Sequence, residues 1–514
     1  MATLSRREAF PEEVREKLID APGKRRYDES RKKCEVSQKM KKIPALLLAL
    51  ILVFLCVSAY ASSGQEGDLV YGDFHYRLLE DGAIMLTAYT GVSGDLTIPA
   101  RIGGGDVTAI GPEAFKSNNS LIRVTLPDSI AEIGDYAFFY CRSLSFINLP
   151  DSIRTVGRNP FAACESLSEI HISKSHPTLS LVDNVLYSLP DRRLVAYSLM
   201  LPKGPYTVAD GTQIIGASAF YNCKAVTDLK LPDTVTSVGR KAFYECSSLR
   251  SVNLPESISY LGEGAFSGCG SLRALKCPDT ITEIGTGAFE NCTSLEDLIL
   301  PEGATSIGDR AFYNCSSLVS VLLPEGISSI GQNTFAECKN LLEIVLPEDV
   351  TYIGGGAFLN CYALQKINIP EDVSYIGSNA FRFCSSLQSL EIPDTCFYIG
   401  SAAFYACSSL TDLTLPMMLN AVSPELCAGC GFEEIEIPSR VTSIGDNAFM
   451  ACARLTSVEI PDKVVSIGKQ AFFSCVALEE VDLPDSLTYV ADNAFENCSS
   501  LTGLPDLSGL SVSE

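Results

Sequence analysis

The amino-acid sequence predicts a β-rich solenoid of about 16 stacked 23-residue units, with a β-hairpin cap at the N-terminal side and one inserted hairpin. Three observations predict it. The pattern Ile-Gly-x-x-Ala-Phe-x-x-Cys-x-x-Leu-x-x-Val-x-Leu-Pro returns every 23 residues over most of the 514-residue chain. Within each copy the apolar residues alternate with the period of two that a short strand requires. A single copy is too small to bury its own apolar face, so copies must stack on one another to make a continuous core.

Taken in chain order, residues 1–39 are polar and charged and share nothing with the repeats. They read as a mis-assigned start upstream of Met40 or as a cytoplasmic tail. Met40-Lys41-Lys42 then precedes an uncharged stretch at 43–61, which ends in Ser58-Ala59-Tyr60-Ala61. This is the basic, apolar and small-x-small order of a secretory signal, with cleavage expected after Ala61. The alternative is an uncleaved anchor, since such a stretch can just span a bilayer. Both readings place residues 62–514 outside the cytoplasm, secreted or on the cell surface.

Residues 62–108 form the expected cap. Phe74–Leu79 and Ile84–Tyr89 flank Glu80-Asp81-Gly82, a hairpin signal with Asp-Gly at the turn. The solenoid itself is expected over 109–505, with a short tail at 506–514. Its Phe position falls at 115, 138 and 161, resumes at 220 and continues to 404, is replaced by Cys427, and returns at 449, 472 and 495. The spacing from Phe161 to Phe220 is 59 residues. The surplus places an insertion around 173–209, where Leu181–Tyr187 and Leu194–Tyr197 read as a hairpin breaking the stack. A second irregularity follows Cys430, where one residue is missing and Phe432 takes the Leu position.

The unit around Leu249 shows why these residues recur. Leu249, Val252 and Leu254 face inward, while Ser251 and Asn253 face solvent. Pro255 lacks an N–H and ends the ladder. Ile258 and Leu261 line a second short extended stretch. Gly262 marks a turn or a close approach between coils. Ala265 and Phe266 fill the interior on the return path.

These motifs resemble the BspA-like leucine-rich repeat family of surface and secreted proteins. The repeated Ile-Gly-x-x-Ala-Phe-x-x-Cys-x-x-Leu core, the Tyr76–Pro99 lead-in and Asn184-Val-Leu-Tyr187 carry the resemblance, which covers roughly residues 70–505. It implies a curved leucine-rich solenoid with adhesion or host-protein binding as its role, and it carries no catalytic residues to transfer.

Fifteen cysteines sit three residues after the Phe position: Cys141, Cys164, Cys223, Cys246, Cys269, Cys292, Cys315, Cys338, Cys361, Cys384, Cys407, Cys430, Cys452, Cys475 and Cys498. Asn118 holds the sixteenth place. Export favours disulfides, but stacked coils present these side chains in parallel register and an odd ladder cannot pair completely. A structural ladder of buried thiols is expected. Cys427-Ala-Gly-Cys430 reads as repeat degeneration, because the second pair a zinc site needs is absent. The three histidines, His75, His171 and His176, lack a nearby nucleophile and are expected at the surface. Asn291, Asn314 and Asn497 match the glycosylation pattern but lie beside the ladder.

Composition narrows the function. The formal net charge is −23, and residues 62–514 carry 26 basic against 54 acidic side chains, which argues against nucleic acid as a partner. No cofactor or metal is expected, and the repeats leave no room for a separate catalytic domain. Recognition must then use solvent-facing strand positions, where packing does not dictate identity. Ile299, Leu322 and Val345 form an apolar stripe there on three consecutive coils, with basic residues on one side and acidic ones on the other. Tyr352, Tyr375 and Tyr398 occupy three consecutive coils just before the inward Ile. They read as cross-strand stacking or as part of an exposed binding strip. The expected function is non-enzymatic protein binding or adhesion outside the cell, through Ile299, Leu322 and Val345. The alternative is a glycan or cell-envelope ligand held by the tyrosines. Membrane contact is expected only through 43–61 if that segment is retained.

Overall fold

The computed structural model describes residues 68–503, so the upstream extension, the export segment and the tail lie outside the described residues. The described chain contains no helix. It winds as a β-solenoid of about 18 turns of roughly 23 residues.

The Cys427 coil makes only isolated bridges at Val422 and Glu434, whereas most coils contribute two short strands that pair in parallel with those of a neighbouring coil. In the unit analysed above these are Ser251–Asn253 and Tyr260–Leu261. Because the repeat length is constant, partners differ by 23 residues: Leu229 lies opposite Val252, and Val238 opposite Leu261. Pro255 closes the turn between the strands, its carbonyl accepting from the Ile258 N–H at 3.0 Å. Leu249, Ile258, Leu261, Ala265 and Phe266 are buried, and the Phe rings stack from coil to coil, for example Phe289 on Phe312 at 5.7 Å and 3°. The repeated Gly is a matter of space. At Gly400 a Cβ would stand 2.3 Å from the Ser378 backbone nitrogen of the coil before.

Sixteen Phe-type units account for all but two of the turns. Those two are completed by tyrosines in the Phe position. Tyr89 ends the cap hairpin, in which Phe74–Leu78 pairs antiparallel with Ile84–Tyr89, and its ring lies 5.5 Å from Phe115. Ile84–Tyr89 also pairs in parallel with Gly105–Ile110, so the cap is continuous with the solenoid. Tyr197 plays the same part at the insertion, 4.9 Å from Phe220.

The inserted hairpin, Val185–Ser188 with Arg193–Tyr197, is preceded by a further antiparallel strand, Leu179–Val182. The chain reverses between them at Asp183 and Asn184, both with positive φ (49° and 60°), a conformation these short polar residues tolerate. The two strands of the hairpin are buried on both faces. Val185, Tyr187, Leu194 and Tyr197 pack into the C-terminal core, whereas Leu186, Val195 and Ala196 pack into the N-terminal one. The hairpin is thus a septum that divides the hydrophobic interior in two.

Across the septum the return paths still meet. Asn159 donates from Nδ2 to the Ser218 carbonyl at 2.6 Å, and Tyr136 and Ser218 share a hydroxyl–hydroxyl hydrogen bond of 3.0 Å. The hydroxyls of Tyr140 and Tyr221 also meet, at 3.3 Å. Arg193 donates to the carbonyls of Val156 (2.8 Å) and Gly157 (3.1 Å), satisfying the strand edge that the septum leaves open.

One histidine departs from expectation. His176 is buried, with Nε2 3.0 Å from the Pro150 carbonyl and Nδ1 accepting from the N–H groups of Thr178 (3.3 Å) and Leu179 (3.1 Å). It holds the point where the insertion leaves the stack, a tertiary role that the local sequence does not reveal. His171 is exposed, 3.5 Å from Glu169, and His75 is half-buried.

Candidate binding face

The first strand of each coil positions the candidate face. In Asp297–Ile299, Ser320–Leu322 and Glu343–Val345 the middle residue is buried, which forces its two neighbours outward. Ile299, Leu322 and Val345 are therefore 59%, 61% and 50% exposed. Lys276 lies opposite Ile299 and Leu322 opposite Val345, so the apolar stripe is flanked directly by Lys276 on its N-terminal side. Lys276 reaches Glu256 at 3.2 Å, both side chains being exposed. Glu391, Thr414, Glu436, Glu459 and Asp482 continue the outward row beyond it, all exposed. A concavity of about 740 Å³ opens on this face between Ile367 and Pro438.

The three asparagines in that row behave differently. Asn148, Asn253 and Asn368 turn their carboxamides onto the backbone of the preceding coil and are not free for recognition. No local signal marks this, because the backbone they bond belongs to the coil before.

Tyr352, Tyr375 and Tyr398 lie on the second-strand sheet and not on the face of the stripe. Strands Tyr352–Ile353, Tyr375–Ile376 and Tyr398–Ile399 pair in register, and the rings stack at 4.9 Å and 4.8 Å with tilts of 10° and 13°. The middle ring is covered on both faces, and burial raises the Tyr375 phenol above its ordinary pKa.

The cysteines form a regular inner rail. Every ladder thiol except Cys223 donates to the carbonyl at the Phe position of the coil before, for example Cys141 to Phe115 at 2.9 Å and Cys361 to Phe335 at 3.1 Å. Asn118 substitutes by donating from Nδ2 to Gly91 at 2.9 Å. The eighteen cysteines of the described residues are free thiols, all buried except the half-buried Cys498. Burial pushes Cys141 and Cys338 up to about 12, which leaves them protonated and unreactive near neutral pH. Cys427 fills a Phe place and hands its carbonyl to the Cys452 thiol at 3.1 Å. Phe432 is fully buried and meets Phe449 edge-on, with ring centroids 6.4 Å apart. Asn314, half-buried, donates to the Asn291 side chain at 2.9 Å.

The sequence matches a family model described as a BspA type leucine rich repeat region, over residues 100–184, 213–342, 328–453 and 420–505. Among solved structures it is similar to a leucine-rich repeat protein from Bacteroides ovatus, at 26% identity over 82% of this chain and 99% of that one, with a TM-score of 0.46. A leucine rich cell surface protein from Faecalibacterium prausnitzii is 22% identical over 88% of this chain and 100% of that one, with a TM-score of 0.36. The pneumococcal vaccine antigen PcpA is 17% identical over 63% of this chain and 97% of that one, with a TM-score of 0.30. No curated protein matches the sequence.

Proposed function

We propose, from the premise that this chain belongs to the BspA-type leucine-rich repeat family, that it is an exported, non-enzymatic scaffold which binds another protein through its first-strand face. The observation that carries this reading is the stripe of Ile299, Leu322 and Val345. Three apolar side chains at least half exposed, on consecutive coils, leave a contiguous apolar surface in water, and such surfaces mark contact sites more often than chance. Nothing in the packing of the coil requires them, since the same position carries Thr, Lys or Glu elsewhere. Export rests on the Met40–Ala61 pattern, and adhesion on the surface and secreted character of the family. The non-enzymatic reading rests on the repeats filling the chain from cap to tail.

The glycan alternative would use Tyr352, Tyr375 and Tyr398 as a platform. Their rings are stacked on one another, which spends the faces a sugar would need and favours a sheet-stabilising role. The protein-binding reading is tested by capturing partners with the purified chain and repeating the capture with Ile299→Glu, Leu322→Glu and Val345→Glu combined. Loss of a captured protein, with an unchanged thermal transition, supports the site. Undiminished capture refutes it.

A further inference from the structure

We infer that the C-terminal half of this sheet face, continuing from the apolar stripe, seats a basic polypeptide segment of the partner; the inference rests on the protein-binding reading above. Of the ten outward strand positions from Ser389 to Asp482, seven are acidic and none is basic. The coil register makes this arrangement unfavourable in the unbound protein. Glu459 lies directly opposite Asp482, and the bridge between Glu434 and Ser457 brings Glu436 beside Glu459. Like charges facing one another across adjacent strands destabilise a sheet. Of the cations at this end, Arg382 pairs with Glu425 and Arg454 with Glu433, and Arg440 donates to the Met418 sulfur at 3.3 Å.

The shape of the face selects the occupant. The 740 Å³ concavity is lined by Glu391, Asp394, Asp412 and Glu436 together with the apolar side chains of Ile369 and Met417. Lys and Arg suit such a lining because their stems lie on apolar surface while their charges reach carboxylates. The carboxylates run along the coils and do not converge: among the described residues no group of three or more acids, His or Cys could hold a metal ion. An extended segment with repeated Lys or Arg satisfies the row where a single cation does not. The charge field would also steer such a segment onto the apolar stripe at its N-terminal edge.

The test is fluorescence anisotropy of a labelled alternating Lys-Ser peptide against the full chain at low and physiological salt. Two triple variants carry the same charge change. Glu436→Gln, Glu459→Gln and Asp482→Asn neutralise the row; Glu132→Gln, Glu283→Gln and Glu496→Gln neutralise exposed acids outside it. The expected result is salt-sensitive binding, weakened roughly tenfold by the first triple, the size for three exposed ion pairs lost together, and little changed by the second. Equal weakening by both would reduce the attraction to net charge and overturn the inference, as would failure of the peptide to bind. The Ile299, Leu322 and Val345 triple separates the two readings. If it abolishes protein capture while the acidic row proves inert toward the peptide, the stripe stands and the basic segment falls. If it leaves capture intact while the peptide binds at the row, the outcome is reversed.

Discussion

The carboxamide of Asn368 makes two hydrogen bonds with the backbone of Leu346, one coil earlier: Nδ2 donates to the carbonyl at 2.8 Å, and Oδ1 accepts from the N–H at 2.7 Å. Asn148 does the same to Leu126 (3.0 and 2.7 Å), and Asn253 to Leu231 (3.1 and 2.8 Å). Each side chain adds two hydrogen bonds between its own coil and the one before. Asn368→Ala should therefore cost about 1–3 kcal/mol, because the buried Leu346 loses partners for both backbone groups. Glu391→Ala, one coil later on the same exposed row, should stay within about 0.5 kcal/mol. Urea unfolding midpoints of the two variants measure the contrast.

Gly400 and Gly204 separate steric need from backbone freedom. A Cβ at Gly400 would meet the Ser378 nitrogen at 2.3 Å and the Gly377 carbonyl carbon at 2.7 Å, whereas nothing lies within 4 Å of one at Gly204. Gly400→Ala should destabilise by about 1–3 kcal/mol through forced separation of two coils. Gly204→Ala should be neutral or slightly stabilising by restricting the unfolded chain. Thermal denaturation of both variants decides this.

The thiol rail sets an alkaline limit on stability. Cys338 titrates near 9.0 when unfolded and is pushed up to about 12 by burial in the fold. Its folded-state pKa is the higher one, so its contribution is whole below about pH 9 and is lost as pH rises toward 12. Cys361 and Cys384 are pushed up in the same way. Urea midpoints should hold between pH 7 and 8 and fall progressively above about pH 9. At pH 8 a thiol reagent should find the cysteines of the described residues nearly silent in the native fold, with the half-buried Cys498, raised only to about 11, reacting first among them. In denaturant the ladder thiols should all react; a chain that stayed silent there would contain disulfides instead.

The septum makes unfolding divisible. Leu186 and Leu194 are both fully buried in adjacent paired strands, but they face different cores. Truncation of either to Ala should cost about 2–5 kcal/mol. Leu186→Ala should raise hydrogen exchange in the coils of Phe115 to Phe161, and Leu194→Ala in those from Phe220 onward. Exchange mass spectrometry that showed the same peptides loosened by both variants would contradict two separate cores.

Most of the coil was legible because its determinants are local. Pro255 stops a strand and Leu249 to Leu254 alternate within a few residues of one another, and the period of 23 fixes the register between regular coils, such as Ser320 with Glu343. The outward stripe was legible for the same reason: alternation alone turns Ile299, Leu322 and Val345 to solvent. Less legible were positions where a residue type serves two ends. Asn in the outward row resembled any solvated polar residue until the coil before it supplied a backbone to bond. His176 resembled a surface histidine until Pro150 closed over it.

By itself the sequence determined the repeat, its strand pairing, the cap hairpin and the direction of each outward side chain, since these depend on short-range alternation and a fixed spacing. Only the tertiary structure decided that Tyr89 and Tyr197 complete two further turns and that Val185–Tyr197 partitions the interior. It alone placed the Tyr ladder and the apolar stripe on different sheets. These outcomes rest on contacts between residues far apart in the chain, such as Tyr136 with Ser218 across 82 positions. No local period encodes such contacts, because they arise only when stacked coils bring distant side chains into one packed interior.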